Sequence, residues 1–513
     1  MEQFIQKYEK KVIGVLSGFD RLVLKGSIRF LCYTAGMMNF LWDMGVLLKD
    51  FGEYVDKISA QLRAASCEIA ERLERPNIYL ESSKTSKEQL AKKIMGQDKI
   101  TDGFICILRC VEPCMSYKTG WDNKSKKLIL ESKPRKCLHI YHYWIDAVFG
   151  FMSARIQTWF PFTIHICLNG REWLARQMDE VGMKYKRIEN TFTHLEDIGA
   201  AQELMSEQLK FQWPATLDEI AMNLDPAHNQ IFHHYQMSYY WSVHQSEWAS
   251  DIMFTSPQAL AEIYPKLVQG AMCCFSSPDI MRFLGRKLHG NFQREVITDY
   301  KQRVEGIRIK HRVGSNSIKM YDKVGRNLRV ETTINDPTDF KVFRPREGDP
   351  QGSCEWRAMR KGIADIGRRA EVSQGSNNRY ANALAGLNTD IPINELVDPV
   401  CRAVIWNGRK MRGLRPWSRD DQLLISTISR GEFVVNGFRN RDLVGVLFPD
   451  SRSVEEKRRN ADRITRKVRL LRAHGIIRKV SKTHRYVFTK KGHQIATAIL
   501  EYRNVTMKQL MAA

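Results

Sequence analysis

Apolar residues along this chain follow two periods, and the switches between them outline its organisation. Residues 1–99 carry a mostly helical pattern, with a helix expected from Phe51 to Arg75. The exception is VIGVLSGFDRLVLKGSIRFL, which alternates like a pair of strands turning at Gly18 or Gly26. Residues 100–240 read as mixed α+β. DGFICILRCVEPC, KKLILES and PFTIHICLNG are short apolar runs between polar or glycine breaks, and REWLARQMDEVG and AQELMSEQLK have helical spacing. Residues 241–385 read as a central α+β domain. It has helices at Gln245–Phe254 and Pro257–Gln269, strands through RIKHRVGSNSIKMYDKVGRNLRVETTIND, and a helix in CEWRAMRKGIADIGRRAEVSQGSNNRYANALA. The polar stretch Gly386 to Pro399 opens a linker expected over 386–415. The fold class expected is therefore α+β and multi-domain, with an antiparallel sheet in the mixed regions.

The last segment, 416–513, is the most legible. Ser418 is a helix N-cap with Asp420 and Asp421 in the first turn, where the helix dipole favours negative charge. Leu424, Ile425 and Ile428 share one face of that helix. A short second helix fits Arg439 to Leu447. A third begins at the capping box of Ser453 and Glu456 and ends at Gly475. Its apolar face is Ile464, Val468 and Leu471, and Arg458, Arg459, Arg463, Arg466, Lys467 and Arg469 occupy the rest. IIRKV and RYVFT then read as two strands, and a last helix follows from Gly492.

Charge sharpens this picture. From Cys401 to Ala513 there are 26 Lys and Arg against 9 Asp and Glu, so this segment holds +17 of the net +23. Charge so concentrated marks a surface for a polyanion. Three helices, a basic third helix and a basic hairpin resemble the winged-helix fold, and LLRAHGIIRKVSKTHRYVFTKKG is similar to the recognition helix and wing of MarR-like regulators. The resemblance implies a third helix in the major groove, with Arg463, Arg466 and Lys467 at or beside it, and a wing touching the backbone through Lys482 and Arg485. The expected partner is double-stranded DNA, ahead of single-stranded DNA or RNA, with a homodimer as an option. The first 400 residues resemble a widespread bacterial type labelled MarR-like from its C-terminal domain, which implies a bacterial or mobile-element origin.

Composition narrows the rest. Hydrophobic content of 43% and charged content of 27% are ordinary for a globular protein. No apolar run reaches membrane-span length, and MEQFIQKYEKKVIGVL lacks the apolar core of a signal peptide. Eleven irregularly spaced cysteines suit free thiols in a reducing cytoplasm, so a cytoplasmic, nucleoid-associated protein is expected. No Walker loop, dinucleotide fingerprint, G-x-S-x-G elbow or H-E-x-x-H is present, which leaves ATPase, dehydrogenase, serine hydrolase and zincin without support.

Four constellations remain. In SIKMYDKVGRNLRVETTIN a hairpin turning at Gly325 brings Tyr321, Asp322, Arg329 and Glu331 into one neighbourhood. The segment resembles elements of rolling-circle replication initiators. That resemblance implies a divalent metal, Mg²⁺ or Mn²⁺, on Asp322 and Glu331, with Tyr321 as nucleophile. The plain alternative is a hairpin with solvated charges. The family's paired histidines are not clearly present; His165 with Cys167 comes closest. Second, in FHHYQMSYYWSVHQSEWASDIMF a helix would put Glu247 and Asp251 on one face near His244, as a further carboxylate site or a polar edge of a packed helix. Third, Arg286, Lys287, Arg308 and Lys310 precede the hairpin as a phosphate track or a solvated face. Fourth, Cys106, Cys110 and Cys114 are spaced near the zinc range, but on a strand they are better read as buried thiols. Together these favour a DNA-processing enzyme that cuts or nicks with a divalent metal. A non-catalytic winged-helix transcription regulator or an RNA-binding protein is the alternative.

Overall fold

The structure, a computed structural model, describes residues 1–513 except 226–227, 229–237, 276, 287–295, 304–305, 347, 350, 387–392, 431–432, 435–436, 451–452, 482 and 505–513. The chain forms two units. The first comprises Met1–Val15, Ser250–Thr332 and Val372–Ala513, and the second Leu16–Ala249 and Thr333–Glu371. Each unit is thus built from non-consecutive segments, whereas the sequence pattern divides the chain consecutively. Helices accompany a large mixed sheet, as the α+β reading expects.

The strands of the second unit are β1 (Val12–Ser27, from Leu16), β2 (Asn77–Leu80), β3 (Gly103–Asp122), β4 (Lys127–Asp146), β5 (Gly150–Gln157) and β6 (Ile164–Asn169), with a separate hairpin of β7 (Tyr185–Ile188) and β8 (Thr191–Leu195). The order is β1–β6–β5–β4–β3–β2, and β9 (Tyr240–Phe254, up to Ala249) flanks β1. From β1 to β2 the pairing is antiparallel except between β2 and β3. β1 is one continuous strand, not a pair. Neither Gly18 nor Gly26 turns the chain; both make room for neighbours, since a Cβ on Gly18 would lie 2.2 Å from Met205 Cε and one on Gly26 2.8 Å from Ile164 Cγ2. β3 and β4 pair over their whole length, and the turn between them is fixed by the Asp122 carboxylate accepting from Lys124 N and Ser125 N.

Helix Phe51–Arg72 lays Phe51, Val55, Ile58 and Leu62 against Tyr117, Phe160 and Phe162, the i, i+4, i+7 stripe its sequence predicts. Helix Gly170–Glu180 starts where Asn169 caps Arg171 N at 2.7 Å. Arg171 is fully buried and donates to Ala249 O at 3.1 Å and Leu16 O at 3.4 Å, which ties that helix to β9 and β1.

Gln245–Phe254 is part of β9 rather than a helix. Trp241, Val243 and Trp248 are buried between half-buried or exposed Ser242, His244 and Glu247, and from Trp248 onward every residue is buried. The aromatic and β-branched content suits a pleated surface; the four-residue spacing of Glu247 and Asp251 mimics a helix only by coincidence.

In the first unit β10 (Val296–Arg303), β11 (Gly306–Val313), β12 (Asn316–Lys323) and β13 (Asn327–Thr333) form an antiparallel meander. Val324 and Gly325, with φ of +58° and +71°, make the β12–β13 turn, and Asp322 Oδ1 accepts from Gly325 N at 2.9 Å. One face of the meander carries Ile309, Val313, Ile318 and Met320 into a core closed by helices Tyr264–Cys273 and Ser277–Phe283 and by Tyr380 and Leu384 of helix Ile366–Ala385. The expected helix over 354–385 opens instead as a short strand, Glu355–Ala358, paired with Lys341–Arg344.

Part of the expected linker, 386–415, is folded. Helix Ile393–Cys401 contributes Leu396 and Val400, four apart, to the C-terminal core and packs on helix Lys490–Asn504; Leu414 is buried there too. Its polar residues, which suggest a linker, line the other side of an amphipathic helix. Among the described residues no helix is long and apolar enough to cross a membrane.

Candidate functional site

The C-terminal segment contains helix Arg419–Ile428 capped by Ser418, helix Asn440–Leu447 and helix Val454–Ala473 with its Ser453–Glu456 capping box. Gly475 (φ +68°) ends the third helix, and strands Ile477–Lys479 and Tyr486–Phe488 pair directly after it. Phe438 forms an isolated antiparallel bridge to Tyr486 beside the hairpin. Leu424, Ile425, Ile428, Leu443, Ile464, Val468 and Leu471 close one core.

Burial of Ile464, Val468 and Leu471 fixes which side of the third helix is outside. Arg459, Arg463 and Arg466 follow at i, i+4 and i+7 on the opposite face, and all are exposed; Arg458 and Arg469 are exposed beside them. Lys467 departs from the expectation. Its ammonium lies 3.1 Å from Asp420 Oδ2 and 3.3 Å from Asp420 O, with the side chain only 17% exposed, so it joins the first helix to the third instead of facing a groove. Arg485 precedes the second strand of the hairpin; Lys482 lies outside the described residues.

The other face of the first unit's meander is charged. β11 places Arg308, Lys310 and Arg312 on it, opposite Tyr321, Lys319 and Ser317 of β12 in direct register. Lys301 and Asp299 of β10 lie opposite Arg308 and Lys310, and Arg312 pairs with Asp299 at 2.9 Å. The expected basic track is thus partly assembled. Arg286 is half-buried in the stretch after helix Ser277–Phe283, and Lys287 lies outside the described residues.

The hairpin brings Tyr321 and Glu331 together but not Asp322. Tyr321 OH donates to Glu331 Oε2 at 3.0 Å, and Lys319 Nζ lies 2.5 Å from Glu331 Oε1. Adjacent strand residues point to opposite faces, so Asp322 is on the core side, near Tyr264, where burial raises its carboxyl above the ordinary value. The expected pairing of Asp322 and Glu331 on one cation does not fit this register, and Tyr321 is engaged as a donor to a buried carboxylate. Asp251, the other candidate of this unit, is held by Arg329. On β9 it lies well along the strand from Glu247, and His244 projects from the opposite side.

Glu247 has a different setting, in a cleft of the second unit with a volume of about 680 Å³. Asp20 and Glu247 bring carboxylate oxygens within 4.8 Å of each other. Asp20 accepts from Asn190 Nδ2 at 2.8 Å and Glu247 from Gln245 Nε2 at 2.8 Å. Around them, Glu88 pairs with Lys92 at 2.8 Å and Arg21 at 3.3 Å, and Glu172 pairs with Arg187 at 2.8 Å. Burial opposes charge on Glu88, yet Lys92 and Arg21 hold its carboxyl below the ordinary value. Burial raises the Cys167 thiol in the same cleft, so it is a poor nucleophile. His165, two residues earlier on β6, is pushed down to about 2 by burial and by Arg155, and its ring lies 4.7 Å from that of His244.

Two carboxylates this close could share a cation. Sequence reasoning missed Asp20. Its signal was available: an Asp20–Arg21 pair in the middle of a mostly apolar strand. The three cysteines of CILRCVEPC lie along β3, and Cys114 Sγ is 3.1 Å from Cys137 Sγ of β4.

Comparison with family models, with curated proteins and with solved structures gives no match.

Proposed function

We propose that this chain is a DNA-binding protein whose residues 416–504 act as a winged helix, with helix Val454–Ala473 reading the major groove. The observation that carries this is the exposed Arg459, Arg463, Arg466 face, opposite the buried Ile464, Val468, Leu471 face, on a helix followed at once by a two-stranded hairpin. Guanidinium groups at that spacing reach successive base edges and phosphates. The charged meander face of the first unit, with Arg308, Lys310 and Arg312, suits a further phosphate contact. Selection from a random duplex pool, followed by binding of the Arg463→Ala, Arg466→Ala protein to the selected sequence, tests it. Loss of preference supports the reading; unchanged preference removes it.

A second reading, strand cutting with a divalent cation, is favoured by the Asp20–Glu247 pair. Those two carboxylates, rather than Asp322, would hold the ion. When bound, it would neutralise charge on a scissile phosphate and lower the pKa of a water. Arg21 and Lys92 line the same cleft and would orient the phosphate.

A further inference from the structure

A second cleft in the second unit, about 590 Å³ in volume, is lined by Arg29, Arg344, Arg346, Arg357, Arg360 and Trp356, with Glu355 among them. The cleft is built, not incidental. Buried Asp365 grips Arg344 through two hydrogen bonds (Nε to Oδ1 2.7 Å, Nη2 to Oδ2 3.3 Å) and accepts from Arg360 N at 2.9 Å. The Arg29 guanidinium lies 3.6 Å from the centre of the Tyr240 ring. Five arginines therefore line the cleft, of which Arg344 is held by Asp365 and Arg357 pairs with Glu355 at 3.1 Å. The positive field extends beyond the cleft: after burial, Lys25, Lys361 and Arg155 are what hold His244 below its ordinary value.

Trp356 lines the same cleft, and Phe343 stands beside it across the hairpin, on the face opposite Arg344 and Arg357. Trp356 is 60% exposed and Phe343 57%; they are register partners across the hairpin of Lys341–Arg344 and Glu355–Ala358, with centroids 5.6 Å apart. Arg368 lies 5.7 Å from the Trp356 ring centre and steadies it. Arginines alone would suit any polyanion. Exposed aromatics beside them select one whose base faces are free, and a duplex keeps its bases stacked inside. An acidic peptide offers no comparable ring surface.

We propose that this cleft binds a single-stranded nucleic acid, its phosphates on the arginines and a base stacked on Trp356. The inference does not depend on the C-terminal helix reading duplex DNA.

The test uses the full chain, a fluorescein-labelled oligothymidylate of about 20 nucleotides and a duplex of the same length, followed by anisotropy across a salt series. Trp356→Ala should weaken oligothymidylate binding about tenfold and leave duplex binding unchanged. Arg346→Ala, Arg360→Ala should weaken it further and lower the salt slope by about 1.4, from ~0.7 per phosphate contact. Arg463→Ala, Arg466→Ala should leave oligothymidylate binding intact, which separates this cleft from the C-terminal helix. The substituted Trp and Arg side chains are exposed, and unchanged circular dichroism checks the fold. Oligothymidylate binding equal to wild type in both cleft variants would overturn the proposal, as would equal losses for duplex and single strand on Trp356→Ala.

Discussion

Arg329 and Asp251 form a two-pronged ion pair, Nε to Oδ1 at 2.5 Å and Nη2 to Oδ2 at 2.8 Å, with side chains 0% and 2% exposed. It joins β13 to β9 inside the first unit, one residue from Ser250, whose hydroxyl accepts from Asn377 Nδ2 at 3.1 Å. A carboxylate so engaged is a structural partner rather than a catalytic one. Asp251→Ala would leave a buried guanidinium without its counter-charge, a loss of about 3–5 kcal/mol. Urea unfolding of the purified variant measures this; a loss below about 1 kcal/mol would mean that the pair is solvated in solution.

Buried histidines make stability pH-dependent. Burial holds His142 near pKa 4; burial, then Arg155, holds His139 near 4; and burial holds His311 near 3. All lie below the ordinary value of about 6.5, so the unfolded chain binds more protons in the window between. Their stabilising contribution is complete above about pH 6.5 and is lost as pH falls towards 4, at up to about 1.4 kcal/mol per pH unit for each. His142 has no hydrogen-bond partner for either ring nitrogen among the described residues. His142→Phe should therefore change stability by less than about 1 kcal/mol at pH 7 and raise it at pH 5. Urea midpoints at both pH values decide it; parallel acid losses in wild type and variant would refute this assignment.

On the C-terminal helix the two kinds of basic residue separate. Arg463→Ala and Arg466→Ala should each cost about 1–3 kcal/mol in binding a preferred duplex per lost base contact. Lys467→Ala should leave sequence preference alone and cost at most about 1 kcal/mol of stability through Asp420. Lys482→Ala should weaken all duplexes alike and reduce the salt slope by about 1. Filter binding on preferred and scrambled duplexes distinguishes these outcomes.

The C-terminal segment was readable because its signals are local. Caps at Ser418 and Ser453, the Ile464–Val468–Leu471 stripe and Gly475 each act within a few residues. The β12–β13 hairpin was readable for the same reason, through its Val324–Gly325 turn. β9 was not, because a strand buried over its second half loses alternation, and its acids at four-residue spacing imitate a helix. The Asp322–Glu331 pairing depended on which face each side chain takes, and register is set by long-range packing of Ile318 and Met320 rather than by the turn. Asp20 and Glu247 are more than 200 residues apart in sequence, and only the sheet order brings β1 beside β9.

The carboxylate pair gives the most exposed prediction. Two acids with oxygens within 4.8 Å repel unless a cation, a proton or fixed donors offset them, and the amides of Asn190 and Gln245 are two such donors. If a divalent cation completes the site, calorimetric titration with Mn²⁺ should show binding to wild type, and Asp20→Asn, Glu247→Gln should abolish it. Asp322→Ala should bind Mn²⁺ like wild type, because Asp322 lies on the core face of β12. Supercoiled and single-stranded DNA incubated with Mn²⁺ should be nicked by wild type and Asp322→Ala but not by Asp20→Asn, Glu247→Gln. Mn²⁺ binding without cutting would leave a structural ion and favour the non-catalytic regulator. Cutting that persists in Asp20→Asn, Glu247→Gln would place the chemistry elsewhere. Thermal unfolding with and without Mn²⁺ adds a readout independent of activity: wild type should gain stability as Mn²⁺ rises above its Kd, and the double variant should gain none.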